Sequence, residues 1–140
     1  MKTLMKMAVC GLAVVVMAGC ASSGGGGGMS DTEVIQGIIN DAMTALKAQD
    51  IDAMVSQYSD DFESDQGGGV AEMKEFLSGA QEQGFLDGIE IDQSGTEINI
   101  EGDKATAGPI DLEGAFGALT LEFELGKRDG AWKVTYQSQY

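Results

Sequence analysis

Residues 45–62 read ALKAQDIDAMVSQYSDDF. In this stretch one helix ends, an acid opens another, and a tyrosine leads into extended chain. Upstream, Ile35, Ile38, Ile39, Ala42 and Met43 recur with Leu46 at steps of three and four, which predicts a helix from Asp31 to Gln49 with one buried face. Ser30 stands three residues before Glu33, the spacing of a capping box. Lys47 falls in the last turn, where the helix dipole favours a cation. Asp50 is then placed to cap a short second helix carrying Ile51, Met54, Val55 and Tyr58 on one side. From Tyr58 to Asp65 the chain reads as a short strand, and Gly67, Gly68 and Gly69 make a loop.

Downstream, a third helix is expected from Val70, with Glu72 and Glu75 near its start and Val70, Met73, Phe76, Leu77 and Ala80 on its buried face. Gly84 is a C-terminal stop. After Phe85 the texture changes to strict alternation in GIEID, TEINIE, KATAGPIDLE, ALTLEFEL and AWKVTYQ. The joining segments QSG, EGD, EGAFG and KRDG carry the turn chemistry of antiparallel hairpins. Pro109 is the sole proline and falls inside a strand, so it belongs at an edge or a bulge. Three helices gathered over one face of an antiparallel sheet make an α+β fold.

The other end of the chain is not a folding sequence. Lys2 and Lys6 precede an uncharged apolar run, Met7 to Met17, and small residues follow, the three-part pattern of a secretory signal peptide. The run is shorter than the roughly 17–25 residues a membrane-spanning helix needs. Met17-Ala18-Gly19-Cys20 resembles the lipobox of bacterial lipoproteins. That resemblance implies cleavage after residue 19, acyl chains on Cys20, and a lipid anchor in the cell envelope. No Asp follows the cysteine, which by the same resemblance implies the outer membrane, with the domain facing the periplasm. Residues 20–30 then form a Gly/Ser-rich tether with random-coil character, and residues 31–140 are the folded domain.

Composition narrows the chemistry. The chain has no histidine, and Cys10 lies in the leader, so the mature chain carries no cysteine besides Cys20. Ser-His-Asp and Cys-His catalysis are excluded, as are an internal disulfide and a cysteine-based metal site. Net charge is −15, with 23 acids against eight basic residues, two of which are Lys2 and Lys6. Such a surface repels nucleic acid, and no cofactor is expected.

The order of elements resembles the NTF2-like superfamily, including its SnoaL-like and ketosteroid-isomerase-like members. ALKAQDIDAMVSQYSDDF, MKEFL and ELGKRDGAWKVTYQS carry the likeness. It implies a curved sheet wrapped around helices as a cone, often with an apolar pocket at the open end and sometimes a homodimer through the sheet. On that footing Tyr58, Phe62, Asp65, Met73, Phe76, Trp132 and Tyr136 are candidate pocket-lining residues for a small apolar ligand. Trp132, Val134 and Tyr136 are expected to share one strand face. The isomerase constellation does not carry over. Asp65 stands one place short of the base position, which Gln66 fills, Ala42 stands where a tyrosine is expected, and Glu122, near the second acid's place, alternates with Leu121 and Phe123 toward water. Asp61, Glu63, Asp65 and Glu72 also have the 1, 3, 5, 12 spacing of an EF-hand calcium loop, without its glycine at position six. The leading expectation is a lipid-anchored, non-enzymatic binding or interaction module. The alternatives are a pocket enzyme or carrier and a calcium-stabilised accessory protein.

Overall fold

The computed structural model describes residues 28–140; Cys20 and the leader lie outside them. Helix α1 spans Asp31–Lys47. Its capping box is formed: Glu33 N donates to Ser30 Oγ at 3.2 Å, and Ser30 N donates to the Glu33 carboxylate at 2.8 Å. The helix ends two residues before Gln49 because Gln49 adopts a left-handed conformation, φ 57°. That turn frees Asp50 to cap α2, Ile51–Val55, by accepting from Ala53 N at 3.0 Å. Strand β1 follows at Tyr58–Ser64, then helix α3 at Val70–Glu82. The Glu72 carboxylate caps α3 by accepting from Gly69 N at 3.0 Å. Gly84, with φ 73°, turns the chain just past the helix end.

Five strands complete the chain: β2 Glu90–Asp92, β3 Glu97–Glu101, β4 Lys104–Gly114, β5 Gly117–Arg128 and β6 Ala131–Gln139. The sheet order is β1-β6-β5-β4-β2, with β3 also on β4. β3 pairs with Lys104–Gly108 and β2 with Asp111–Glu113, so the two short strands share one edge of β4. Pro109 sits in the gap between them, where the β4–β5 register also shifts. A residue without an N–H belongs in such a gap.

The sheet is mixed and not purely antiparallel, because β1 pairs with β6 in parallel. Parallel neighbours need a long crossover, and here α3 with the β2–β5 meander supplies it. The inner face of β4 and β5 presents Ala105, Ala107, Ile110, Leu112, Leu121, Phe123 and Leu125, all buried against the helices. Ile35, Ile39 and Ala42 of α1 are fully buried beneath them.

Two expected faces are corrected. Trp132, Val134 and Tyr136 do not share a side. Val134 lies opposite Leu125 while Tyr136 lies opposite Glu124, so Thr135 is an extra, bulged residue. The bulge turns Tyr136 to the outer face and brings Gln137 inward, where it is 6 % exposed. Phe76 is not on the buried face of α3: it is 64 % exposed, while Met73 and Leu77 are buried. Adjacent positions 76 and 77 lie about 100° apart around a helix, and the core takes Leu77. No helix among the described residues is long and apolar enough to cross a membrane.

Candidate functional site

The helices do not fill the cone. A cavity of about 780 Å³ remains between α3 and the sheet, within the range of about 300–1,000 Å³ typical of small-molecule sites. Met73, Phe76, Leu77 and Ala80 of α3 form one wall. Leu112, Leu119 and Leu121 of the sheet form the other, and Phe116 in the β4–β5 turn and Phe85 after α3 flank the opening. Phe85 is 40 % exposed, so two aromatic rings, Phe76 and Phe85, stand partly in water at the mouth. Leu46 at the end of α1 and Met54 of α2 reach the cavity from below.

Among the polar residues that line the cavity, Gln137 is the buried one. The Tyr58 hydroxyl donates to Gln137 Oε1 at 2.7 Å inside the core. Burial pushes the Tyr58 phenol up, so it stays protonated and needs an acceptor. That fixes which end of the Gln137 amide faces Tyr58. The Nε2 end is left toward the cavity that Gln137 lines, with no hydrogen-bond partner there among the described residues. The bulge at Thr135 makes this possible, since without it residue 137 would point outward.

The remaining polar groups ring the opening. Asp65 N donates to Gln137 O at 3.0 Å, and Gln139 N donates to Asp65 Oδ2 at 2.9 Å, which fastens the end of β1 to β6. Glu72 is held by Gly69 N, and Glu75 is exposed on α3. Asp65, Glu72 and Glu75 line the cavity; among the described residues no lysine or arginine does.

Of the seven candidate lining residues, Asp65, Met73 and Phe76 stand at this cavity. Tyr58 and Phe62 lie behind its wall in the core, their rings 4.4 Å apart, with Phe123 at 6.5 Å from Tyr58. Trp132 is at the far end of β6. Its Nε1 donates to Asp31 Oδ1 at 2.9 Å, and Lys127 Nζ reaches Asp31 Oδ2 at 3.2 Å while lying 5.1 Å over the indole. These bonds, the Trp132 one foremost, hold the Asp31 carboxyl below its ordinary range. Tyr136 faces outward. Gln137, Leu119 and Phe116 are lining residues that sequence reasoning missed. For Gln137 no signal precedes it, because the alternation through Trp132 and Val134 points to Tyr136.

The acids of the calcium spacing do not converge. Asp61 is gripped by Arg128, whose Nε and Nη2 donate to it at 3.0 Å and 2.7 Å. This contact holds the Asp61 carboxyl down at about 2. Asp65 is bonded to Gln139, Glu72 to Gly69, and Glu63 is exposed on β1. Among the described residues no group of three or more acidic, histidine or cysteine side chains is arranged to hold a metal ion. Of the positions weighed for isomerase chemistry, Ala42 is buried in the core, and Glu122, half-buried, lies between inward-facing Leu121 and Phe123 on the opposite side of the sheet.

No protein-family model matches the sequence, and no curated protein matches it either. Solved structures do resemble it. An NTF2-like protein of unknown function from Shewanella baltica OS155 superposes with a TM-score of 0.64 at 18 % identity, covering 81 % of this chain and 97 % of that one. A protein with a cystatin-like fold from Nostoc punctiforme gives 0.64 at 16 % identity over 78 % and 89 % of the two chains. A putative ketosteroid isomerase from Shewanella frigidimarina gives 0.62 at 18 % identity over 74 % and 92 %. At such identities the likeness speaks to architecture alone. With three helices on a six-stranded mixed sheet curved around a cavity, this chain has the NTF2-like, or cystatin-like, fold.

Proposed function

We propose that the domain is a non-enzymatic binding module for a small apolar molecule, tethered to a membrane through lipid on Cys20. The observation that carries the binding reading is the open cavity of about 780 Å³, walled by Met73, Leu77, Leu112, Leu119 and Leu121, with the buried Gln137 amide among its lining. An isomerase-like enzyme is the second reading, favoured by the Asp65 carboxylate at the rim. Against it, Asp65 is bonded to Gln139, and the hydroxyl of Tyr58 is committed to Gln137 inside the core. The Tyr58 hydroxyl is therefore not free to donate to a bound molecule.

The tether enters at Ser30, at the start of α1, and the cavity lies against Leu46 near its end. A helix of this length spans about 25 Å. The domain therefore hangs by the end opposite its opening, which favours exchange of ligand with the aqueous compartment or another protein. Two or more acyl chains make such an anchor effectively stable. A possible homodimer through the sheet would have to bring together outer faces carrying Asp111, Glu113, Glu122 and Glu124, so the monomer is the reading we favour.

N-Phenyl-1-naphthylamine, an uncharged dye that brightens in apolar surroundings, is expected to bind saturably at one site per chain. Ala80→Trp, which fills the cavity from α3, should abolish that binding while the far-ultraviolet dichroism stays native. A dye signal unaffected by Ala80→Trp overturns the binding reading. For the anchor, mass spectrometry of the native N-terminus should find acylated Cys20, and Cys20→Ser should leave the chain unprocessed; an unmodified mature chain starting elsewhere overturns it.

A further inference from the structure

We infer that the cavity discriminates by charge and by one hydrogen bond: it takes an uncharged or cationic apolar molecule that carries an acceptor oxygen, and it rejects anions. This rests on the reading of the cavity as a binding site and adds the ligand's class. Two independent features carry it.

The first is the ring of carboxylates. Asp65, Glu72 and Glu75 come from β1's end and two turns of α3, and no basic side chain is among the described residues that line the cavity. The nearest cation on α3, Lys74, is already paired with Asp52 on α2. The whole chain adds a field of the same sign, with a net charge of −15. An anion approaching the mouth meets only like charge, at short range and at long range. Fatty acids and other carboxylated amphiphiles are thereby disfavoured, although the apolar wall alone would suit them.

The second is Gln137. Its carbonyl is turned to the Tyr58 hydroxyl in the core, so what it offers the cavity is the two N–H hydrogens of Nε2. A buried donor left unmatched by its ligand is costly. A ketone, ester or hydroxyl oxygen matches it; a purely hydrocarbon ligand leaves it unmatched.

The charge claim is tested with a matched pair, N-phenyl-1-naphthylamine and 1-anilinonaphthalene-8-sulfonate, which share one skeleton and differ by the sulfonate. At low salt the sulfonate is expected to bind the full chain about tenfold more weakly or worse. Raising salt to 0.15 M shortens the screening length from about 30 Å to about 8 Å and should narrow the gap. Glu75→Lys, a helix-compatible change at an exposed position, should narrow it further. Equal binding of the two dyes at low salt, or a gap insensitive to both salt and Glu75→Lys, overturns the charge claim. The acceptor claim is tested by competition against the uncharged dye: 2-acetylnaphthalene should displace it at lower concentration than 2-ethylnaphthalene, which has the same shape without the oxygen. Equal displacement overturns it. If neither dye binds at all, it is the cavity reading itself that fails, and this inference with it.

Discussion

Strand β6 begins as a piece of the core and ends as the lining of a cavity. At its start Trp132 is buried, bonded to Asp31 and covered by Lys127, so helix α1 and the β5–β6 hairpin are fastened together. At its end Gln137 and Gln139 face space that α3 does not fill. The same sheet thus has one sealed end, where side chains satisfy one another, and one open end, where they await something else. Thr135 divides the two. At the sealed end Trp132, Lys127 and Asp31 satisfy one another, whereas Gln137 keeps an unspent donor. Local consistency builds the fold, and departures from it mark where a ligand is expected.

The sharpest way to break this comparison is to truncate an aromatic at each end. Trp132→Ala should cost about 3–5 kcal/mol, because it leaves a cavity in packed core and strips Asp31 of a donor. That is a large part of a typical domain's stability of about 5–15 kcal/mol. Phe76→Ala, at a position 64 % exposed, should change stability by less than about 0.5 kcal/mol yet weaken dye binding. Urea melts and dye titration of both variants decide the matter. Similar losses of stability from the two would mean that the open end is ordinary core.

Next in size is Tyr58→Phe, on the boundary. It removes the hydroxyl that holds Gln137 Oε1 at 2.7 Å and leaves that carbonyl buried without its donor. The expected cost is about 1–3 kcal/mol. Gln137 is then free to turn its carbonyl to the cavity, so the preference for 2-acetylnaphthalene over 2-ethylnaphthalene should shrink. A loss of stability with that preference intact would separate Tyr58 from the cavity chemistry.

Much of the sealed end was legible in the sequence, and little of the open end was. Ser30 with Glu33, Asp50, Gly84 and the alternating strands each act through neighbours a few residues away, so their spacing alone declares them. Pro109 announced its irregularity through its missing N–H. The parallel pairing of β1 with β6 joins residues more than 70 apart, as in Tyr58 opposite Val134, and no local pattern encodes strand direction. The bulge at Thr135 was invisible because Trp132, Val134 and Tyr136 alternate without interruption. Phe76 and Leu77 are adjacent apolar residues, and only the packed structure decides which one the core accepts. The cavity itself is a shortage of side-chain volume, which depends on how far α3 stands from the sheet.

A smaller effect is expected in acid. Asp61 and Asp31 both have carboxyls held below the ordinary unfolded value of about 3.9, Asp61 at about 2 through Arg128 and Asp31 through Trp132 and Lys127. A depressed folded value means that the charged form is favoured by folding. The stability these pairs add is therefore present above about pH 4 and is lost as pH falls through the folded values. Arg128→Gln should lower the melting temperature slightly at pH 6, and the difference from wild type should shrink as pH falls toward about 2 and vanish only below it. A difference that persists at the lowest pH would show that Arg128 acts through packing and not through Asp61.

The smallest effect lies at the edge beside the cavity and is expected to be a gain. In the β2–β4 pair Glu90 stands opposite Glu113, and Asp92 opposite Asp111. Like charges directly opposed across strands are destabilising. Asp111 has some relief, since Thr120 Oγ1 donates to it at 2.6 Å, but Glu113 is exposed and faces Glu90 on one side and Ala118 on the other. Glu113→Lys replaces a repulsion by an attraction and should stabilise the domain by about 0.2–1 kcal/mol at low salt. Because both groups are exposed, the gain should fade as salt is raised. Glu113→Gln should give roughly half of it, since it removes the repulsion without adding an attraction. The comparison of the two ends is sharpened by where this gain is available: Leu112, beside Glu113, lines the cavity, so the strand that borders the opening carries an unrelieved repulsion while the hairpin at the sealed end carries matched pairs. If Glu113→Lys leaves the low-salt melting temperature unchanged, Glu90 and Glu113 do not feel each other and the β2 edge is looser than its register implies.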